Sequence, residues 1–521
     1  MDRSKLDVTD RTIMAGSDFL QLNIDHAPVG GRADWLARQL RYAIADGRLT
    51  MGTRLPATRV LAGELRVSRG VVTEAYQRLV EDGHIAGRGR AGTVVVAAPV
   101  GAPTAAVPPS QATRLRSTNA LFAGPPGLDI FDELRAAPAR IDLSPGVPDL
   151  AAFPRAAWLR AERAVLNDLS PADFGYGDPR GAPAMRIAVA NWLARNRGIG
   201  VDPTEVIIVA GVSQALGLLA QVLRPHGITE VAVEDPGSLG VRQHLQNWGM
   251  DTPPIPVDID GLLVADLRAS GAGAVMVTPA HQFPTGVVLD GERRRELMQW
   301  AHEGGLIIED DYDAEHRYDR PPVPALHSML AEQICYVGSV SKLLAPALRI
   351  GWVLVPSRYL DAMVAAKRNA DLGNAVLAQL VLAELMESGE MERQLRFLRG
   401  RHRRRRDAMI EAIRAHVTGA VVHGAAAGLH LMVTLDETVA DAELAAASLA
   451  RGVKVQPLSW HRQRPGRPGL VLGYAASPPA DITEGIATLG ELLRPGVSGR
   501  AARLRSDAPR GRTRAGARPG P

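Results

Sequence analysis

The chain has one cysteine in 521 residues, Cys335. No intrachain disulfide can form, so a cystine-stapled fold is excluded and a reduced compartment is expected. Cys335 lies in the apolar run Ile334 to Val337 and reads as plain core. No stretch reaches the roughly 18 uninterrupted apolar residues of a spanning helix, so no membrane partner is expected. Met1 to Asp10 is polar and charged and lacks the basic, apolar, then small-residue order of a secretory signal, which leaves a cytoplasmic location as the expectation. Neither sign of charge dominates: 60 Lys and Arg oppose 56 Asp and Glu, a formal net charge of +4. That balance alone is no evidence for a nucleic-acid partner. What remains is an ordinary globular composition, 46% apolar and 22% charged, on a chain long enough for two or three domains.

Apolar residues recur at helical spacing from Trp35 to Ala45, and Gly47, Gly52 and Pro56 read as a stop and a turn. Two shorter helical segments follow, Thr58 to Leu65 and Ser68 to Asp82; beyond Gly83, two short strands flank a Gly/Arg cluster. This small unit spans residues 33–97. A Pro- and Ala-dominated stretch, 98–139, has the composition of an extended linker. From 140 to 495 apolar runs alternate with helical patterns: Val206 to Ala210, Val231 to Val233, Ala274 to Val277, Leu306 to Ile308, Ile334 to Val337 and Trp352 to Val355. Strands apolar on both faces and separated by helices predict an α/β body, a mainly parallel sheet covered on both sides. From about Asp371 long helices, Arg393 to His416 among them, and short strands near Gly428 to Val433 and Leu470 to Tyr474 predict a smaller α/β lobe. Residues 496–521 hold Gly, Arg, Ala and Pro with almost no large apolar side chains, which predicts a disordered basic tail. Its arginines either attract phosphates in a salt-sensitive way or are simply solvated.

In the first unit, Pro56 starts a turn, Thr58 is placed to cap a helix, and Val60, Leu61 and Leu65 anchor that helix to a core. Ser68 at the N-cap and Arg69 in the first turn of the next helix put a hydroxyl and a guanidinium where a recognition helix meets a major groove. The tip Arg88 to Arg90 would reach neighbouring backbone or minor groove. The segment LPATRVLAGELRVSRGVVTEAYQRLVEDGHI resembles the GntR-type winged helix-turn-helix almost throughout. The resemblance implies binding to double-stranded DNA through Arg59, Ser68, Arg69, Arg88 and Gly89. The competing reading is a helical interaction module whose arginines merely face solvent.

In the body, Leu306-Ile307-Ile308 runs into Glu309-Asp310-Asp311-Tyr312-Asp313, which places carboxylates at the carboxyl edge of a parallel sheet, where such folds bind ligands. Buried acids there need a cationic partner. The next strand ends in Gly338-Ser339-Val340-Ser341-Lys342, with Arg349 close behind. A lysine among small hydroxyl residues, with an arginine nearby, suits an aldehyde cofactor that carries a phosphate. This order resembles fold-type I, class I aminotransferases; SVSKLLAPALRIGW, TPAHQFPTG and IIEDDYDAEHRYD resemble the MocR/GabR regulators in particular. The likeness covers about residues 33–495, interrupted at the linker. It implies pyridoxal 5'-phosphate as cofactor, covalent attachment through Lys342, Asp310 on the pyridine nitrogen and Tyr312 on the ring's phenolic oxygen. For the phosphate, Gly211 to Gln214 opens a helix whose free N–H groups offer an anion site. Ser213, Gln214, Ser339, Ser341 and Arg349 are the candidates. Tyr176 matches a tyrosine that in related enzymes reaches the phosphate of the partner subunit, which implies a head-to-tail homodimer. No metal site is expected.

The chain departs from the family in three places. Ser238 follows Asp235-Pro236-Gly237 where an aromatic usually stacks on the ring, so another residue must substitute or the ring packs differently. His281-Gln282-Phe283 precedes Pro284-Thr285-Gly286 where aminotransferases place an asparagine, so His281 or Gln282 replaces it, or the histidine is satisfied by backbone. Trp460 stands where GABA-responsive members carry a substrate-carboxylate arginine; Arg462, Arg464 or Arg467 could move in. The expected function is a transcription regulator that senses pyridoxal phosphate, or an amine or amino-acid effector other than GABA, and controls vitamin B6 or amino-acid metabolism genes. The rivals are an active aminotransferase with an accessory DNA-binding head, and a scaffold with a vestigial pocket.

Overall fold

The computed structural model describes residues 20, 22–28, 30–89, 92–96, 118–318 and 323–494. The chain divides into two compact units, Met1–Arg114 and Leu115–Pro521. In the first, α1 (Arg32–Ala45), α2 (Thr58–Glu64) and α3 (Arg69–Glu81) precede the antiparallel pair β1 (Ile85–Gly87) and β2 (Thr93–Val95). Leu36, Leu40 and Ile44 of α1 lie on one stripe and meet Leu61 of α2, Val72 and Leu79 of α3, and Ile85, all essentially buried. The order and packing are those of a winged helix-turn-helix. Thr58 does not cap α2: Ala57 holds that position and Thr58 is the first helical residue, so its hydroxyl is left for a neighbour. Ser68 is the N-cap of α3, but its side chain makes no capping hydrogen bond.

In the second unit, β3 (Ile141–Asp142) is followed by β4 (Ile207–Val209), β5 (Val231–Asp235), β6 (Pro254–Asp258), β7 (Gly261–Leu262), β8 (Ala274–Val277), β9 (Leu306–Asp311), β10 (Ile334–Ser339) and β11 (Gly351–Leu354). Strands β4 to β11 form one eight-stranded sheet in the order β4-β11-β10-β9-β8-β5-β6-β7. The central pairs are parallel, whereas β11 runs antiparallel to both β10 and β4. Both faces are apolar: Ile208 packs among Met185 and Trp192 on one side, Ile207 and Val209 among Leu216 and Leu219 on the other. Cys335 of β10 is buried core. The pair β6 and β7 is not evident in the sequence, because Pro254 and Pro256 argue against a strand; both sit near the sheet's edge, where a missing N–H is tolerated.

The smaller lobe has a four-stranded sheet of β12 (Val421–His423), β13 (His430–Thr434), β15 (Gln456–Pro457) and β16 (Gly469–Gly473), while β14 (Val453–Lys454) pairs with β3. The long helix Glu390–His416 packs against the helix Pro479–Leu493. The stretch 98–139, read as linker, needs correction. From Thr118 it is ordered, with helices Thr118–Leu121 and Ile130–Ala136. Leu121, Phe122, Ile130 and Leu134 are buried in the same core as Leu431 and Trp460. Their apolar spacing is interrupted by Pro125 and Pro126, which made the segment look extended. Residues 98–117, Arg90 and the tail 496–521 lie outside the described residues. Among the described residues no helix is long and apolar enough to cross a membrane.

Candidate functional site

A cavity of about 1010 Å³ opens where β8, β9 and β10 end, walled on one side by the larger sheet and on the other by the smaller lobe. Period-two alternation along β9 decides which acid faces it. Glu309 and Asp311 point away. Glu309 accepts hydrogen bonds from the N–H groups of Leu326 and His327 at 2.9 and 3.0 Å. Asp311 pairs with Arg197 and accepts from the Tyr336 hydroxyl at 2.5 Å. Asp310, between them, lines the cavity, and its buried Oδ1 has no hydrogen-bond partner. Burial, reinforced by Asp311 and Asp313 and opposed by Lys342, pushes the Asp310 carboxyl up to about 7. A buried acceptor in want of a donor is what a pyridinium N–H would satisfy.

Lys342 follows β10 and lines the same cavity. Burial lowers its ammonium, with Asp313 and Asp310 pulling the other way. Its Nζ donates to the carbonyl of Gly146. Gly146 adopts φ +80°, a conformation that favours glycine, and a Cβ there would stand 3.0 Å from that nitrogen. A further acid, Glu234, accepts from Thr278 N and Oγ1 at 3.1 and 2.6 Å and is raised by burial to about 7.

The residues expected at a phosphate lie around the start of the helix Val212–Leu223. Gly211, with φ +84°, turns the chain out of β4 so that the helix's first N–H groups are free. Ser213, Ser339, Ser341 and Arg349 line the cavity there. The Arg349 guanidinium donates to Ala210 O, and no carboxylate pairs with it among the described residues. Gln214 is different: its side chain accepts from Ala210 N and donates to Asp371 Oδ2, both at 2.7 Å, and it stays out of the cavity. An aldehyde-reactive lysine, an orphaned acid and a basic, N–H-rich cup fit a phosphorylated pyridine aldehyde.

Neither residue suggested in place of the asparagine enters the cavity. His281 stands behind Tyr312: its Nδ1 lies 3.0 Å from the Tyr312 hydroxyl and 2.9 Å from Asp313 Oδ2. His281, Asp313 and His430 form the one group whose ligand atoms lie within metal-binding reach of one another among the described residues. A hydrogen bond joins His281 to Asp313, while His430 Nε2 lies 3.2 Å from the carbonyl of Pro284. Gln282 braces a turn: its Nε2 donates to Pro236 O and Phe283 O, and its Oε1 accepts from Thr285 N and Oγ1. The aromatic on this wall is Phe283, edge-on to Tyr312 and to His461 with centroids 6.3 and 5.1 Å apart. Sequence reasoning missed it, although it is the only aromatic side chain in TPAHQFPTG. Ser238 caps a helix by accepting from Val241 N. Trp460 stacks on Phe122 at 5.1 Å, away from the cavity, and Arg462, Arg464 and Arg467 do not line it either. Tyr176 is 95% exposed and outside its own chain's cavity.

In the first unit Arg59, Ser68, Arg69, Arg88 and Gly89 are all exposed. Arg69 Nε donates to Thr58 Oγ1 at 3.3 Å, which ties the start of α3 to α2. Arg38, Arg41, Arg48 and Arg78 are paired with acids, whereas Arg59, Arg69 and Arg88 have no acidic partner among the described residues. Gly89 takes φ +55° at the wing's tip.

Residues 139–488 match the family described as aminotransferase class I and II, and residues 33–95 match bacterial regulatory proteins of the gntR family. The chain is 32% identical to the "Probable rhizopine catabolism regulatory protein MocR" of Rhizobium meliloti, over 87% of this chain and 92% of that protein. It is 30% identical to the HTH-type pyridoxine biosynthesis transcriptional regulator PdxR of Corynebacterium glutamicum, over 85% and 91%. Among solved structures it is similar to the multiple substrate aminotransferase of Thermococcus profundus, with a TM-score of 0.65 and 26% identity over 74% of this chain and 98% of that one.

Proposed function

Because the chain belongs to the class I and II aminotransferase family, in the MocR-type branch that carries a gntR-family head, we propose that it is a transcription regulator whose body governs operator binding by its head. The cofactor is pyridoxal 5'-phosphate; when bound, it supplies an aldehyde and an electron-withdrawing ring. Lys342 holds the aldehyde end, Asp310 accepts the ring N–H, and Tyr312 faces the ring oxygen, backed by His281. Ser213, Ser339, Ser341 and Arg349 hold the phosphate, and Tyr176 serves the partner subunit's phosphate in a head-to-tail homodimer in the cytoplasm. Arg59, Ser68, Arg69, Arg88 and Gly89 meet double-stranded DNA. The observation that carries this reading is the convergence of Lys342, the orphaned Asp310 Oδ1 and Arg349 on one cavity, in a chain whose head leaves Arg59 and Arg69 unpaired by acids.

Pyridoxal phosphate, alone or with an amine or amino-acid effector, binds one state of the body more tightly and so shifts how the heads meet DNA. Vitamin B6 or amino-acid metabolism supplies the regulated genes. The reading is tested by footprinting the chain on its own promoter with and without pyridoxal phosphate, alongside Lys342→Ala. The expected result is a protected site whose affinity changes with the cofactor, and a visible absorbance band that Lys342→Ala abolishes. Sustained turnover of an amino donor with a keto acid, with no cofactor effect on DNA binding, would favour an enzyme instead.

A further inference from the structure

We propose, resting on the reading above, that the effector taken up beside the cofactor is a primary amine with an apolar body and no carboxylate. The cavity, about 1010 Å³, reaches from the strand ends of the larger sheet to the smaller lobe. Away from Lys342 its walls include Leu128, Phe131, Val147, Pro148, Leu150 and Val241, with the polar Gln243, His244 and Asn247 beside them. Leu128 and Leu150, 71% and 48% exposed, present apolar surface at its mouth, and an apolar ligand would cover such surface with gain.

Every charged side chain that lines the cavity is already accounted for. Asp310, Lys342 and Arg349 serve the cofactor. Lys454, the buried cation of the smaller lobe's wall, lies 3.5 Å from Asp142 Oδ2 and 3.5 Å from the carbonyl of Arg135. Arg135 pairs with Asp132 and is 72% exposed, where water screens it and leaves it little power to discriminate. His244, His430 and His461 face the cavity too; burial lowers all three imidazoles, His430 and His461 to about 3, which disfavours their cationic forms. Among the described residues that line the cavity, no lysine or arginine remains without an acidic partner or a role toward the cofactor. An amino acid's carboxylate would therefore be desolvated against neutral or already neutralised groups, whereas the matching amine carries no such group. Trp460 is stacked on Phe122, and Arg462, Arg464 and Arg467 do not line the cavity.

The test uses the full chain loaded with pyridoxal phosphate, titrated with 2-phenylethylamine against L-phenylalanine and with isoamylamine against L-leucine. The cofactor's visible band is followed, and each ratio is taken relative to the same pair with free cofactor in buffer. Each amine is expected to saturate at a concentration at least tenfold below its amino acid. In Asp142→Asn, which frees the Lys454 ammonium, that ratio should shrink at least threefold through tighter amino-acid binding. A cofactor-loaded protein that binds the amino acids as well as the amines, that responds to none of the four compounds, or whose ratio is unmoved in Asp142→Asn overturns the inference while leaving the cofactor reading intact. A protein with no visible band in excess cofactor sinks both.

Discussion

Replacing Asp310 by Asn should stabilise the ligand-free protein at alkaline pH and weaken its hold on pyridoxal phosphate, two effects of opposite sign from one substitution. Burial, with Asp311 and Asp313 close by, raises this carboxyl from its ordinary 3.8 to about 7. The folded state therefore holds the proton more tightly than the unfolded chain does. Stability falls as pH rises from 4 to 7, and above 7 the whole penalty is in force. The gap between 3.8 and about 7, at about 1.4 kcal/mol per tenfold change in proton affinity, puts the penalty at about 4 kcal/mol. Asn has nearly the same shape and no charge to desolvate. In urea denaturation at pH 8.5 without cofactor, the variant should be the more stable by up to about 4 kcal/mol, and at pH 5 the gap should narrow by more than half. With cofactor the order should invert, because a ring N–H answers the orphaned Oδ1 only when that oxygen belongs to a carboxylate strong enough to keep the nitrogen protonated. An Asn variant less stable than the parent at pH 8.5 without cofactor, or one that retains cofactor equally well, would refute the reasoning.

In the head, Arg59→Ala and Arg69→Ala should each lower the slope of log affinity against log salt by about 1, read by fluorescence anisotropy on operator DNA. Arg41→Ala, whose guanidinium is held by Asp82 at 2.7 Å, should leave that slope unchanged. His281→Leu strips Asp313 of its buried partner and should cost about 3 kcal/mol in urea denaturation, most of it recovered when Asp313→Asn is added. Trp460→Ala removes a buried ring stacked on Phe122 and should cost roughly 3–5 kcal/mol, seen as a fall in Tm with the cofactor band retained.

The parts of the fold that were legible share one property: their periodicity is set by burial on both sides. The runs at Val206, Val231, Ala274, Leu306 and Ile334 became β4, β5, β8, β9 and β10 within a residue or two at each start. Three of them extend further than their apolar letters: β5 continues through Glu234 and Asp235, β9 through Glu309, Asp310 and Asp311, and β10 through Gly338 and Ser339. A strand's ladder is made by backbone, so it persists where polar side chains find partners, as Glu309 does on the N–H groups of Leu326 and His327. The segments that misled were those in which proline dominates the local pattern. Pro254 and Pro256 concealed the strand next to the sheet's edge, and Pro125 and Pro126 concealed two helices that close the smaller lobe's core through Phe122 and Leu134.

The residue types of the site were readable; the directions of their side chains were not. His281 and Gln282 were placed beside the ring because they adjoin the Pro-Thr-Gly turn, yet one braces Tyr312 from behind and the other ties that turn to Pro236. Gln214 starts a helix in the right place, but its amide is drawn to Asp371, a residue 157 positions away that no local pattern could have supplied. What converts these misplacements into chemistry is that each still acts on the cavity at one remove. His281 and Asp313 together decide where the Tyr312 proton can go, so the phenol presented to a ring oxygen is already hydrogen-bonded on its far side. On the proposed reading, Lys342, Asp310 and Arg349 would be the cofactor's immediate partners, and they line the cavity at or just beyond strand ends, while the layer behind Tyr312 is assembled only by the tertiary fold.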